Sequence, residues 1–238
     1  MNVLMIGNSF SMDAERYLHR IARAGGDTIN TCAPYIGGCS LERHWRDLLG
    51  EKKDYELLYN GERTGFYVSL NECLYNRSWD VIALQQQSSA SGHIETYLPY
   101  LCNIVEFVKK VQPNAKLYIH ETWAYEDGCP RIKEAAGFES YEEMRENVIS
   151  AYREAARMIN ADGIIPAGEM FGKMHDEGIT DIHRDTYHAS YGTGRYALGL
   201  VWYRTLTGKS VVGNTFRDFD APVEEEKIEL LQRLADTF

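Results

Sequence analysis

The sequence predicts an α/β protein: a three-layer α/β/α sandwich around a flavodoxin-like parallel sheet of about five strands. Three observations support this prediction. Apolar runs of four to six residues have the length of buried strands, and they are continuous instead of alternating with polar residues. Longer stretches between them place apolar residues at helical spacing. No repeat, low-complexity tract or linker interrupts this alternation, so we expect a single domain over residues 1–238.

The predicted strands are short apolar runs bounded by glycine or polar residues. In chain order they are residues 3–6, 28–32, 81–84, 116–120 and 163–166. Such strands are typical of a parallel sheet that is covered on both faces. In sheets of this kind, ligands bind at the carboxyl ends of the strands, which directs attention to the loops that follow them.

The predicted helices are amphipathic, and helix-stopping residues bound some of them: Gly25 and Gly26 end the first, and Pro113 follows the third. In chain order they are residues 13–24, 41–49, 98–111, 141–159, 192–205 and 223–238. Residues 55–70 are ambiguous and could form a small β excursion around Gly61 and Gly65.

Composition excludes several classes of protein. The net charge of −10, without a Lys/Arg cluster, argues against nucleic-acid binding. Five cysteines without a CxxC pair do not form the pattern of a disulfide framework or a zinc site. No apolar stretch reaches the length of a transmembrane helix, so no membrane partner is expected. The strand pattern begins at Val3, so we expect no signal peptide in this chain, although the compartment and the oligomeric state stay open.

A candidate nucleophile follows the first strand, in the segment Gly7-Asn8-Ser9-Phe10-Ser11. A serine in a strand-to-helix turn lies beside the N-terminal amides of the helix, and those amides can stabilise an oxyanion. Either serine could instead cap the helix. Ser11, followed by Asp13, suits the cap better, which leaves Ser9 for chemistry.

A candidate base lies near the other end, where Asp185 precedes His188 by three residues. Side chains at that offset meet on a helical turn, so the carboxylate could hold one imidazole nitrogen and leave the other for a serine. The two could also form a polar pair without a catalytic role, with His183 as a nearby competitor. A metal site formed with Asp181 would match no strong ligand spacing, so no metal or other cofactor is expected.

These segments resemble two blocks of the SGNH (GDSL-type) hydrolases. Gly7-Asn8-Ser9 is similar to their Gly-Asp-Ser nucleophile block, and residues 185–188 are similar to their closing Asp-x-x-His block. Residues 35–40 resemble the block that supplies a backbone-amide glycine. The resemblance spans nearly the whole chain and implies the SGNH hydrolase fold, a triad of Ser9, His188 and Asp185, and oxyanion donors at the amides of Ser9 and of Gly38 or Gly37.

The sequence departs from the family pattern at two places. Asn8 replaces the usual aspartate, which is not a member of the triad. Glutamines stand where the Gly-x-Asn block should be, so the side-chain oxyanion donor would be Gln87 by position or Gln86 by its place at the strand end. These departures suggest a divergent branch of the family.

The resemblance favours hydrolysis of short acyl esters, above all acetyl groups on sugars, so the expected partner is a small-molecule or carbohydrate ester. Residues 122–137 could form a wall or lid. A lipase- or thioesterase-type hydrolase of other small esters and a non-catalytic carbohydrate-binding relative are the alternatives. A nucleotide- or flavin-binding protein would need more than the one glycine in residues 7–11. Aromatic and polar residues that could line the substrate site are His44, Trp45, His93, Trp123 and Tyr125.

Overall fold

The continuous apolar run at the start of the chain forms a central strand of the sheet. In the computed structural model, which describes residues 1–238, this strand is buried from Val3 to Ile6 and has a parallel neighbour on each side. The seven strands, in chain order, are β1 (Asn2–Ile6), β2 (Asn30–Tyr35), β3 (Tyr55–Tyr59), β4 (Glu62–Val68), β5 (Val81–Leu84), β6 (Lys116–His120) and β7 (Gly163–Ile165).

The strand order across the sheet is β4-β3-β2-β1-β5-β6-β7. All neighbours from β2 to β7 in this order are parallel. Counted among themselves, these five parallel strands have the flavodoxin-like order 2-1-3-4-5. The predicted parallel sheet is therefore confirmed, and the complete sheet is larger than predicted because β3 and β4 add two antiparallel strands at one edge.

The added hairpin occupies the region that the sequence left ambiguous. Its turn is Asn60-Gly61, and both residues have positive φ angles, 51° and 80°. A Cβ on Gly61 would lie 2.5 Å from the carbonyl oxygen of Arg16, so glycine is required there. No residue of β4 is buried, which explains why its sequence has no strand-like alternation of apolar residues.

The helices form a layer on each face of the sheet. In chain order they are α1 (Ser9–Ala24), α2 (Leu41–Leu49), α3 (Leu70–Tyr75), α4 (Tyr100–Val111), α5 (Arg131–Glu134), α6 (Tyr141–Ile159), α7 (Ala167–Asp176), α8 (Thr193–Thr207) and α9 (Glu225–Asp236). One layer packs α1 against α8 and α8 against α9, and the other joins α2, α3, α4 and α6. The α7 helix contacts both α6 and α8. The three-layer α/β/α class is confirmed.

Three helices, α3, α5 and α7, were not predicted, and the first helix of the chain begins earlier than expected. The short α3 has a capping box in which Ser69 and Glu72 each bond the other's backbone N–H. In α7 a Cβ on Gly168 would lie 2.2 Å from the carbonyl oxygen of Thr122, so only glycine fits this contact. Glycine has a low helix propensity, which made this helix hard to predict from the sequence. The α1 helix begins at Ser9, not at residue 13.

No helix is long and apolar enough to cross a membrane. All five cysteines are free; Cys102 is exposed and the other four are buried. No group of three or more His, Cys, Asp and Glu side chains is arranged to hold a metal ion.

Candidate active site

Ser9 lies at the carboxyl edge of the sheet because β1 ends only three residues before it. Asn8 is the N-cap of α1, and its side-chain oxygen accepts a hydrogen bond from the amide of Phe10 (3.1 Å). The expectation that Ser11 caps this helix is therefore wrong: its hydroxyl donates to the Gln85 side-chain oxygen (2.6 Å). A Cβ on Gly7 would lie 2.0 Å from the Ser11 hydroxyl oxygen, so the tight turn requires glycine.

His44 also supports this turn. It was expected to line the cleft, but it does not. This residue is fully buried in α2, with its Nε2 atom 3.0 Å from the Gly7 carbonyl oxygen and its Nδ1 atom 3.1 Å from the Tyr55 hydroxyl. Burial lowers the pKa of His44 to about 4 and outweighs the opposing hydrogen bond to Gly7. A neutral imidazole here holds the backbone that presents Ser9.

Ser9, His188 and Asp185 form a continuous chain of hydrogen bonds. The His188 Nε2 atom lies 2.8 Å from the Ser9 hydroxyl oxygen, and its Nδ1 atom lies 2.8 Å from Asp185 Oδ2. The second carboxylate oxygen of Asp185 accepts the His188 backbone N–H, also at 2.8 Å. With Nδ1 protonated, Nε2 is free to accept the serine proton.

The Asp185–His188 segment is an irregular loop and not the helical turn that the spacing suggested. Thr186 has a φ angle of 72°, and this left-handed residue turns the chain so that carboxylate and imidazole meet at the three-residue offset. Ser9 and the His188 side chain are 9% and 15% exposed, whereas the Asp185 side chain is 43% exposed. The candidate nucleophile is thus sheltered from solvent, and the carboxylate lies at the rim.

Asp185 is ionised at neutral pH. Partial burial acts to raise its pKa. The hydrogen bonds from the His188 ring and backbone, together with the nearby charge of Arg184, lower the pKa by a larger amount, so the net shift is downward. An ionised carboxylate on Nδ1 stabilises the imidazolium that forms when His188 takes a proton.

Residues 122–137 form a wall that is fastened to the loop that contains His188. Trp123 donates its indole N–H to the Tyr187 carbonyl oxygen (2.8 Å), and the Glu126 amide donates to the Thr186 carbonyl oxygen (2.7 Å). The Cys129 thiol lies 3.2 Å from the Thr186 hydroxyl. The Tyr187 ring in turn packs 4.0 Å from the His188 ring, centroid to centroid. This wall therefore positions the imidazole.

The three consecutive glutamines at the end of β5 have different partners. Gln85 donates its amide to Asn8 Oδ1 (2.7 Å) and accepts from Ser11. Gln86 donates to the Thr96 carbonyl oxygen (2.9 Å), and its own oxygen accepts the amides of Leu41 and Gln87. Both side chains are buried and have hydrogen-bond partners within the protein, Gln85 mainly on side chains and Gln86 mainly on loop backbone, so the prediction that Gln86 is a binding residue is wrong.

The Gln87 side chain faces the cleft and has no hydrogen-bond partner within the protein. A Cβ placed on Gly38 would lie 4.0 Å from the Gln87 Nε2 atom, so the two residues are neighbours. Gly38 has a φ angle of 63°, and its amide has no intramolecular acceptor. The amide of Ser9, at the first position of α1, has none within its helix. Three residues with N–H groups that have no acceptor in the protein, Ser9, Gly38 and Gln87, thus line the same cleft.

These residues lie in a cleft of about 300 Å³. It brings together the predicted Ser9, His188, Gly37, Gly38, Gln87 and Tyr125. The other lining residues are Asn8, Met12, Tyr35, Ser88, Ser89, Arg131, Arg184 and Tyr187. A larger depression nearby, of about 510 Å³, shares Met12 but contains no nucleophile, so chemistry and not volume identifies the candidate site.

Besides His44, three more predicted lining residues lie outside the cleft. Trp123 is fully buried and stacks on Phe10 at 4.2 Å between ring centroids. His93 stacks on Phe138 at 4.7 Å and lies 2.7 Å from the Ala136 carbonyl oxygen. Trp45 packs, partly buried, against the hydrophobic core. An aromatic residue near a strand end turned out to be a poor indicator of the cleft, because apolar rings are drawn into the core.

Arg131, Arg184 and Tyr187 line the cleft but were not identified from the sequence. Arg184 donates to both carboxylate oxygens of Asp13 (2.9 and 2.8 Å), and Arg195 donates to Asp13 as well (2.9 Å). Burial raises the pKa of Asp13, and the two guanidinium groups oppose that shift. This buried ion-pair cluster ties the loop before His188 to α1, the helix that begins at Ser9. No local pattern marks it, since Asp13 lies more than 170 residues before either arginine.

Residues 2–233 match the family model described as a domain of unknown function, DUF4886. The chain belongs to this family. Among solved structures, it is similar to a DUF4886 family protein from Bacteroides uniformis, with 29% identity, a TM-score of 0.90, and coverage of 100% of this chain and 93% of that chain. A search of curated proteins found no match.

Two further structures relate the fold of this DUF4886 protein to the SGNH hydrolases. A proposed SGNH hydrolase from Slackia heliotrinireducens has 22% identity and a TM-score of 0.64, covering 87% of this chain and 98% of that chain. An acetyl xylan esterase from Geobacillus stearothermophilus has 12% identity and a TM-score of 0.51, covering 90% and 95%. The predicted relationship to the SGNH (GDSL-type) fold is confirmed.

Proposed function

We propose that this DUF4886 protein is a serine esterase that hydrolyses short acyl esters, above all acetyl esters of carbohydrates. The proposal rests on one observation: the hydrogen-bonded chain from Asp185 through His188 to Ser9, which ends in a cleft. A polar cluster with only a structural role gives no reason for the serine to line a cleft together with N–H donors that have no acceptor. Serine, imidazole and carboxylate in this order form the arrangement that activates a hydroxyl group for attack on an ester.

The proposed reaction proceeds through an acyl-enzyme. His188 Nε2 accepts the Ser9 proton while the serine oxygen attacks the ester carbonyl carbon. The resulting imidazolium, stabilised by Asp185, gives that proton to the departing alcohol as the carbon–oxygen bond breaks. Water then loses a proton to His188 as it attacks the acyl-Ser9 carbonyl carbon. When the bond from that carbon to the Ser9 oxygen breaks, His188 gives the proton to the serine oxygen, and the acid is released.

The negative charge of the tetrahedral intermediate would be held by the amides of Ser9 and Gly38 and by the Gln87 side chain. These donors are already in place and have no competing partner in the protein, so little reorganisation is needed when charge develops. Glutamine carries the same NH₂ donor as the asparagine of the family pattern. This part of the proposal tolerates the departure from the Gly-x-Asn block.

The size and polarity of the cleft favour a small polar substrate. About 300 Å³ is at the lower end of the range for ligand pockets, which suits a sugar ring with a short acyl group better than a long acyl chain. Tyr35, Tyr125 and Tyr187 offer apolar ring surfaces with polar hydroxyl ends. The name of one fold neighbour, an acetyl xylan esterase, agrees with this substrate class.

The test is hydrolysis of p-nitrophenyl acetate and of a peracetylated methyl glycoside by the wild-type protein, Ser9→Ala and His188→Ala. We expect both variants to lose at least about 10³-fold in kcat/KM, because the members of a triad act as a unit. Ser89→Ala is the matched control, since Ser89 lines the same cleft without a bond to the triad. Wild-type rates equal to those of Ser9→Ala on both esters, with folding unchanged by circular dichroism, would refute the proposal.

A further inference from the structure

The cleft has a charge opposite to that of the whole protein. The chain carries a net charge of −10, yet the residues that line the cleft include two arginines and no aspartate or glutamate. Asp185, at the rim, is already bonded to His188. Walls of one charge sign focus the field inside a cleft and raise the local concentration of ligands of opposite charge.

The two arginines that line the cleft differ in their ion-pair and hydrogen-bond partners. Arg184 is committed to the buried carboxylate of Asp13 and also donates to the carbonyl oxygen of Ala189. No carboxylate oxygen lies within ion-pair distance of Arg131, the exposed first residue of α5. Its guanidinium carbon lies 4.3 Å from the centroid of the Tyr187 ring, which orients the group by a cation–π contact and leaves its N–H donors available.

The position of Arg131 relative to His188 indicates how far from the scissile ester a negative charge on the ligand would lie. The Tyr187 ring contacts both Arg131 and His188, and its centroid is 4.0 Å from that of the imidazole. The guanidinium carbon is therefore at most about 8 Å from the catalytic imidazole. An anionic group a few bonds from the scissile ester could reach it. An acetyl group is too short to carry such a charge, so the charge would belong to the alcohol.

We propose that the alcohol part of the substrate carries a carboxylate that pairs with Arg131, which makes the substrate class acylated acidic sugars. This inference rests on the proposed esterase function and adds its specificity. A fork of guanidinium donors matches a carboxylate, as in Arg–carboxylate pairs within proteins. Because Arg131 is exposed, its ion pair contributes modestly, and we expect a preference of about two- to fivefold in kcat/KM for the anionic ester.

The test compares two esters of similar size, 4-acetoxybenzoate and neutral 4-acetoxybenzamide, with each enzymatic rate divided by the spontaneous rate to remove the difference in leaving group. The wild-type protein should prefer the benzoate, and the preference should shrink as salt rises from about 0.05 to 0.5 M. Arg131→Gln should abolish the preference by lowering the rate on the benzoate more than the rate on the benzamide. Lys133→Gln is the matched control, because Lys133 lies on the same short helix, pairs with Glu139 and does not line the cleft.

Each outcome is decisive. Equal wild-type rates on both esters, or a preference that survives in Arg131→Gln, would overturn the inference and leave the esterase function standing. An equal fall on both esters in Arg131→Gln would also overturn it, because Arg131 would then act only by supporting Tyr187 and His188. Hydrolysis of both esters no faster than with Ser9→Ala would instead overturn the proposed function itself.

Discussion

Replacement of Gln87 by alanine should lower kcat while leaving stability nearly unchanged. The Gln87 side chain faces the cleft and makes no hydrogen bond within the protein, so its removal leaves no buried group without a partner. Loss of one oxyanion donor typically removes roughly 2.7–4 kcal/mol of transition-state stabilisation. Gln87 is only half-buried, so we expect the lower end of that range, which is about 10²-fold in kcat. KM should change little, because the bond strengthens only as charge develops.

Its neighbour provides the opposite case. The buried oxygen of Gln86 accepts the amides of Leu41 and Gln87, and both donors lose their acceptor in Gln86→Ala. An unsatisfied buried donor costs about 1–3 kcal/mol, so this variant should lose several kcal/mol of unfolding free energy. Two adjacent glutamines should therefore separate activity from stability.

The assay is steady-state hydrolysis of p-nitrophenyl acetate for kcat and KM, beside urea unfolding of both variants. The reasoning about Gln87 would be refuted if Gln87→Ala kept kcat within threefold of the wild type. It would equally fail if this variant lost as much stability as Gln86→Ala, since the side chain would then be structural.

Two further predictions concern titratable groups. Asp185→Asn should lower kcat/KM for the same ester by about 10²–10⁴ at pH 7.5, because an amide cannot stabilise the imidazolium; less than a tenfold loss would show that the carboxylate is dispensable. Burial raises the pKa of Glu15 to about 8, against 4.5 for the ordinary group, so the folded protein holds a proton that the unfolded chain releases. Its contribution to stability is therefore fully present below pH 4.5 and is lost as pH rises toward 8, by an amount on the order of several kcal/mol. Glu15→Gln should flatten the unfolding free energy between pH 5 and 8 without removing the slope completely, because burial raises the pKa of Glu121 to about 8 as well; urea unfolding at three pH values measures this, and an unchanged slope would contradict it.

The catalytic candidates could be predicted because each lies in a short local pattern. Ser9 follows a buried strand and opens a helix, and Asp185 precedes His188 by three residues. Their meeting could not be read from the pattern itself, since 179 residues separate Ser9 from His188. The resemblance to a known family supplied that link, and a left-handed Thr186, which nothing in the sequence announced, shapes the loop.

The lining of the cleft could not be predicted, because the direction of a loop side chain is set by what packs around it. Trp123 and Tyr125 are two residues apart after the same strand, yet the first stacks on Phe10 in the core and the second lines the cleft. Gln86 and Gln87 are adjacent and diverge in the same way. Arg131 gains its place from the contact with Tyr187, which is distant in sequence.

Local patterns in the sequence predict the α/β class, the five parallel strands and the three triad candidates, because these follow from apolar runs, glycine turns and short polar spacings. Only the folded structure reveals the antiparallel hairpin at the sheet edge, the different roles of the three glutamines and the positive charge of the cleft. Those features depend on partners far apart in the chain, and the energy of a buried polar or charged group is set by the partners that folding brings to it.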